Sequence, residues 1–114
     1  MPMSFKEPNQ QVKIWMQLAW DAYAKKSLIQ VFHYFQRALE YAEQRELEHE
    51  IAWICRDLGY VHARQGSLNQ ALDYLNKGLS LYVDDLEIDI RVGLITNKAS
   101  VLARLGSYPD AVVL

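Results

Sequence analysis

The sequence predicts an all-helical fold, and three observations support this prediction. A turn motif, "GSLNQAL" at residues 66–72, is echoed at residues 26–32 and 106–112, so it recurs every 40 residues. Apolar residues on both sides of each turn follow the i, i+3, i+4 spacing of amphipathic helices. No segment alternates apolar and polar residues over the length of a strand. Each repeat is therefore predicted to be a pair of antiparallel helices.

The turn motif indicates where one helix ends and the next begins. Gly66 and Gly106 stand at the expected helix ends, because glycine readily adopts the left-handed conformation that closes a helix C-terminus. Lys26 takes this place in the first copy, so that turn is predicted to be the least favourable. Ser27 and Ser67 are each followed three residues later by glutamine, which fits the capping box at a helix N-terminus.

The first part of the chain is predicted to form a lead-in, two helices and a turn. Residues 1–11 contain two prolines and form the lead-in, and the first helix begins near Gln10 or Gln11. The second helix follows the turn at Ser27. The turn before the third helix is placed near Arg45, in a stretch without glycine or proline.

The second part of the chain is predicted to form four further helices, which brings the total to six. The third and fourth flank the turn at Ser67, and residues 83–89 separate the fourth from the fifth, which begins near Leu86. A short sixth helix begins near Tyr108. The predicted helical domain covers residues 12–114, in units of about 12–51, 52–91 and 92–114, of which the third is truncated.

Composition and charge exclude several functional classes. The 114 residues, 51% of them hydrophobic, suit one domain, and no apolar run approaches the ~20 residues of a membrane helix. The net charge of -2 argues against nucleic acid as the main partner. No secretory signal is visible, and the single cysteine cannot form an intramolecular disulfide. The protein is predicted to be cytoplasmic, without membrane insertion.

The reactive side chains do not assemble a recognisable catalytic motif. Cys55 and His62 lie seven residues apart, on one helix face, where a nucleophilic pair is conceivable. A buried and inert cysteine is the favoured interpretation of this position. The histidines lack the spacing of a zinc site, and no glycine-rich phosphate loop is present. The chain is predicted to be a non-enzyme that uses no metal or cofactor.

The second unit carries a pattern of large and small residues at fixed spacing. This pattern consists of Cys55, Leu58, Gly59 and His62 before the turn, and Ala71, Leu75 and Gly78 after it. It resembles the tetratricopeptide repeats, whose helix pairs follow a W-x2-L-G-x2-Y and A-x3-F pattern. The resemblance implies a right-handed superhelix of stacked antiparallel helix pairs, an α-solenoid. The 40-residue period departs from the usual 34, and Val83 stands where a proline is typical.

Small residues recur where this fold needs close helix packing. Ala19, Gly59 and Ala99 are predicted to let the two helices of a unit approach each other. Ala38, Ala71 and Gly78 are predicted to let neighbouring units stack.

The resemblance also implies a binding groove lined by the first helix of each unit, which holds an extended segment of a partner protein. The partner is predicted to carry an apolar or aromatic anchor near an acidic group, since aromatic and arginine side chains commonly dominate binding. An equally weighted alternative is that Trp20 and Tyr60 cover neighbouring helices or are covered by the lead-in. The predicted groove residues are Met16, Trp20, Tyr23, Trp53, Arg56, Tyr60, Arg64, Asn97 and Arg104.

Self-association is the second functional hypothesis. The third unit ends early, so its apolar face is predicted to form an exposed patch that pairs two copies, most simply as a two-fold dimer. A fragment of a larger regulatory repeat protein is the other explanation of the same feature. The predicted self-association residues are Leu94, Leu102, Leu105, Val112 and Leu114.

Overall fold

Five α-helices form the part of the chain that the computed structural model describes, residues 8–81 and 87–106. Within these ranges the all-helical class is confirmed, with no strand, and no helix is long and apolar enough to cross a bilayer. The predicted sixth helix, with Val112 and Leu114, lies outside the described residues. The helices are α1 (Gln10–Ala24), α2 (Leu28–Gln44), α3 (Glu48–Arg64), α4 (Leu68–Ser80) and α5 (Ile88–Gly106).

Three helices end in the same left-handed turn, at intervals of twenty residues. Lys26, Glu46 and Gly66 have φ values of 62°, 54° and 84°. In each turn the backbone N–H of the next residue donates to a carbonyl five residues earlier, as in a Schellman motif. These bonds are Ser27 to Ala22 at 3.0 Å, Leu47 to Ala42 at 2.9 Å and Ser67 to His62 at 2.9 Å. The predicted turn near Arg45 is confirmed, since Arg45 caps the C-terminus of α2.

The predicted capping boxes at Ser27 and Ser67 are wrong. Both serines occupy the N-cap position, but neither side chain caps the helix. The left-handed turn leaves their ψ angles at 81° and 71°, whereas the extended Asn9 has a ψ of 133°. The Asn9 side chain does accept two backbone N–H groups, from Gln11 at 2.9 Å and Val12 at 3.2 Å.

The helices pack as antiparallel pairs, α1 with α2 and α3 with α4, and α4 also packs on α5. Gly59 and Gly78 allow the close approaches predicted for them. A Cβ at Gly59 would lie 2.5 Å from Cγ of Leu75, and one at Gly78 would lie 2.7 Å from Cδ2 of Leu94. Ala99 is exposed, and its predicted partner helix lies outside the described residues.

Two predicted surface residues belong to the core instead. Met16 was assigned to the groove, but it is only 2% exposed because it points between α1 and its neighbours. Leu94 was assigned to self-association, but it is fully buried where α5 packs against Gly78 of α4. Neither side chain presents a surface to a partner.

The left-handed turns predict opposite effects for glycine at two adjacent lysines. Lys26→Gly should stabilise the fold by up to about 1 kcal/mol, because glycine adopts a positive φ without strain. Lys25→Gly should destabilise it by a similar amount. Lys25 has a φ of -88°, which any residue adopts without strain, so glycine there only increases the conformational entropy of the unfolded chain. Urea unfolding followed by circular dichroism measures both changes. Two shifts of the same sign would contradict the role of the left-handed turn.

Candidate functional site

The first helices of successive units lie side by side and run in the same direction. Near the start of α5, the backbone N–H of Glu87 donates to Nε2 of His49 at 3.1 Å. Near its end, Nη1 of Arg104 donates to the carbonyl of Ala63 at 2.8 Å. Since both contacts join matching ends, α3 and α5 are parallel neighbours.

Helix α1 lies parallel on the other side of α3. The backbone N–H of Asn9 donates to Oε2 of the buried Glu50 at 2.7 Å, and Nε1 of Trp20 donates to Oδ2 of Asp57 at 3.0 Å. These two hydrogen bonds therefore hold the start and the middle of α1 against α3.

Two facing stripes of side chains define a groove between α3 and α5. The stripe on α3 repeats every three or four residues, so its members share one helix face. The stripe on α5 has the same spacing. We call this surface the α3–α5 groove, formed by His49, Trp53, Arg56, Tyr60 and Arg64 on α3 and by Asp89, Gly93, Asn97, Ser100 and Arg104 on α5.

The groove has a cavity at each end. The arginine end, of about 370 Å³, is lined by Tyr60, Ala63, Arg64, Asn97, Ser100 and Arg104. The acidic end, of about 220 Å³, is lined by Pro8, His49, Trp53, Arg56, Glu87, Asp89 and Ile90. The two ends therefore differ in charge.

A buried carboxylate joins the helices beneath the middle of the groove. Asp57 accepts hydrogen bonds from Trp20 and from Nε of Arg56, the latter at 2.9 Å. Burial raises the pKa of Asp57, and the charge of Arg56 and these hydrogen bonds oppose that rise. Arg56 also crosses Gly93, where an added Cβ would lie 2.5 Å from Cδ of the arginine. Gly93 therefore leaves the space in which Arg56 reaches its carboxylate.

The structure divides the predicted groove residues among several places. Tyr60, Arg64, Asn97 and Arg104 share the arginine end, whereas Trp53 and Arg56 line the acidic end. Tyr23 lies apart, in a cavity of about 350 Å³ that it shares with Lys26, Leu28 and Gln65.

Trp20 and Tyr60 differ in how much surface they offer. The indole of Trp20 is half-buried, contacts Tyr23 and Phe35 at ring distances of 5.2 and 5.7 Å, and donates to Asp57. These contacts match the alternative in which Trp20 covers neighbouring helices. Tyr60 is 39% exposed beside it, at a ring distance of 6.2 Å, and remains a surface residue.

The sequence predictions missed the acidic end of the groove. His49 precedes Trp53 by four residues, and Asp89 precedes Gly93 by four, so both continue the stripes by one turn. Extending the 40-residue alignment of the first helices by one turn would have found both.

Cys55 and His62 contribute to the packing of the helices. Burial raises the pKa of the Cys55 thiol to about 12, so the thiol stays protonated at neutral pH. The His62 ring stacks on Phe32 at 4.6 Å and on Tyr74 at 5.4 Å, and burial lowers its pKa. The histidine therefore acts as an aromatic spacer between α2 and α4.

The predicted self-association residues are distributed unevenly on α5. Leu102 is exposed, Leu105 is partly buried and Leu94 belongs to the core. Ile95, together with Val92 and Ile88, extends the exposed apolar surface toward the start of α5. They form with Leu102 a stripe between 46% and 68% exposed, which we call the α5 stripe: Ile88, Val92, Ile95 and Leu102.

Comparisons of the chain with protein families, with curated proteins and with solved structures found no match.

The buried carboxylate predicts a specific dependence of stability on pH. Because the pKa of Asp57 is raised in the folded state, stability is lost as pH rises from about 4 through that raised value. Asp57→Asn cannot ionise but can still accept from Trp20 and Arg56. We therefore expect this variant to gain stability over the wild type at pH 7, and the gain to vanish near pH 3.

Urea unfolding at several pH values tests this expectation, with Asp73→Asn on the exposed face of α4 as the matched control. The control should show no comparable trend. The opposite result would be a wild type that is more stable than Asp57→Asn at pH 7, by a difference that decreases toward pH 3. It would mean that the attraction of Arg56 for the Asp57 carboxylate outweighs the cost of burying that charge.

Proposed function

We propose that the chain is a protein-interaction module of the tetratricopeptide type, whose helix pairs stack as a right-handed superhelix. In this proposal the α3–α5 groove binds an extended segment of a partner protein. The observation that carries the proposal is the pair of facing stripes, which places the exposed Tyr60, Arg64 and Arg104 and the half-buried Trp53 on the same side of α3 and α5. We propose a cytoplasmic protein and assign it no catalytic step, consistent with the protonated thiol of Cys55.

The chemistry of the arginine end favours an anionic ligand group. Arg64 and Arg104 offer guanidinium donors, Asn97 offers an amide and Ser100 a hydroxyl, and none of the described residues that line this cavity is acidic. The bond to the Ala63 carbonyl positions Arg104 at the cavity wall. Tyr60 supplies an aromatic surface beside these donors. A carboxylate next to an apolar or aromatic side chain matches this arrangement.

A selection of random peptides displayed on phage, made against the intact chain, tests the binding function. Peptides that the selection enriches should lose about 1 to 3 kcal/mol of binding free energy with Tyr60→Ala or Arg64→Ala, the range for a hot-spot residue. Fluorescence anisotropy of labelled peptides measures the loss, and circular dichroism verifies that each variant folds.

Arg45→Ala is the matched control for Arg64→Ala. Both arginines lie at the C-terminal end of a helix, but Arg45 stacks over Tyr41 at 3.8 Å, away from the groove. The control should bind as the wild type does. No enrichment of peptides, or equal losses for the two arginine variants, would contradict the proposed function.

Self-association through the α5 stripe is the second candidate function. Its four residues are spaced by four, three and seven positions, as in the apolar seam of a coiled coil, and all four are exposed. A second copy that buries this seam would remove four large apolar side chains from water, which favours a two-fold dimer.

The stripe predicts a change of oligomeric state on adding charge. Ile95→Glu should convert the dimer into a monomer at micromolar concentration, because association would bury an unpaired carboxylate. Ile29→Glu is the matched control, since Ile29 is 87% exposed on α2, away from the stripe. Multi-angle light scattering measures the mass. A wild-type protein that is already monomeric would exclude this candidate.

A further inference from the structure

We propose that the α3–α5 groove recognises a partner segment that carries both charges, a cationic group at the acidic end and a carboxylate at the arginine end. This inference rests on the proposed function and specifies the partner's chemistry. It follows from the charged residues that line the two ends: Arg64 and Arg104 line one, whereas Glu87, Asp89 and an Arg56 paired with Asp57 line the other.

The acidic end has the features of a cation site. The carboxylates of Glu87 and Asp89 line its cavity, and neither forms an ion pair with another described residue. The half-buried Trp53 lines the same cavity, and an indole face attracts a lysine or arginine side chain. Nε2 of His49 accepts the Glu87 N–H beside this cavity.

Arg56 does not cancel this negative charge. Although it lines the acidic end, its Nε lies 2.9 Å from the Asp57 carboxylate, which is buried beneath it. Among the described residues, Glu87 and Asp89 are therefore the carboxylates that line this cavity without an ion pair to another described residue. At the other end, Arg64 forms no hydrogen bond or ion pair with another described residue.

A simpler explanation of the polarity is that acids suit helix N-termini and bases suit helix C-termini. That effect would favour the same arrangement on every helix. Among the described helices, α1 and α2 have neither an acid in the first turn nor a base in the last, and α4 has only Lys77. Both α3 and α5 have both. The full arrangement is therefore confined to the helices that line the groove.

The helix geometry sets the length of the partner segment. At a rise of 1.5 Å per residue, Trp53 and Arg64 lie about 17 Å apart along α3. An extended chain rises about 3.3 Å per residue, so it spans this distance in about five residues. A lysine or arginine separated by about five residues from an aspartate or glutamate, with an apolar residue between them, fits the groove.

The test uses the peptides from the phage selection and the intact protein. We expect enriched peptides to pair a basic and an acidic residue at about this separation. The double change Glu87→Gln with Asp89→Asn should lower their affinity about tenfold, and replacing the basic residue of the peptide by glutamine should have the same effect. Combining the two changes should cause no further loss, because both remove one interaction.

Glu40→Gln with Asp73→Asn is the matched control, because it removes the same charge from exposed positions on α2 and α4. It should leave affinity within about twofold of the wild type. Peptides that depend on Arg64 but are indifferent to the double change at Glu87 and Asp89 would overturn this inference and leave the proposed function standing. A selection that enriches no peptide would remove both.

Discussion

The left-handed turn that follows α1, α2 and α3 is the constraint on which the rest of the structure depends. Each turn reverses the chain within three residues, so consecutive helices are antiparallel and alternate helices are parallel. Because the turns recur every twenty residues, α2 and α3 are both 17 residues long, and the hydrogen bond from Asn9 to Glu50 sets the start of α1 level with the start of α3. The contacts of Asn9 and Glu87 with the first turn of α3 maintain that level for α1 and α5. The groove is a consequence of this register.

Much of the fold could be predicted because it depends on local signals. The 40-residue echo located the turns at Lys26 and Gly66, and helical spacing located the helices between them. The turn at Glu46 had no glycine to mark it, since a left-handed glutamate has a cost of about 1 kcal/mol that packing offsets. Its position was still predicted, because residues 43–50 correspond to the break at residues 83–89 one 40-residue period later.

The candidate site was less predictable, because it depends on the rotation of each helix. Met16 and Trp20 are separated by one turn of α1, yet Met16 is in the core and Trp20 is half-buried over Asp57. A 40-residue alignment identifies equivalent residues on successive first helices. It does not determine which face of each helix is buried when the helices of different units pack together. Tyr60 and Arg64 line one cavity, since they share a stripe on a single helix.

The carboxylate of Asp57 has a physical cost that a purely apolar contact would avoid. Removing a charge from water disfavours folding unless hydrogen bonds replace the lost hydration. Asp57 receives two such bonds, from residues on α1 and α3, and Arg56 then extends over Gly93 of α5. We infer that this cluster fixes the lateral spacing of the three parallel helices. Hydrogen bonds are directional, so they favour one alignment of the helices, whereas apolar packing alone would allow several.

The same cluster determines how charge is distributed along the groove. If Arg56 were unpaired, its charge would lie between Trp53 and Tyr60 and would reduce the negative potential of the acidic end. Asp57 compensates that charge from below, so the middle of the groove is close to neutral and the ends remain distinct. Gly93 makes this possible, since any larger residue would displace the side chain of Arg56. The spacing of the helices and the polarity of the groove therefore depend on one set of contacts, and a change at Asp57 or Gly93 would alter both.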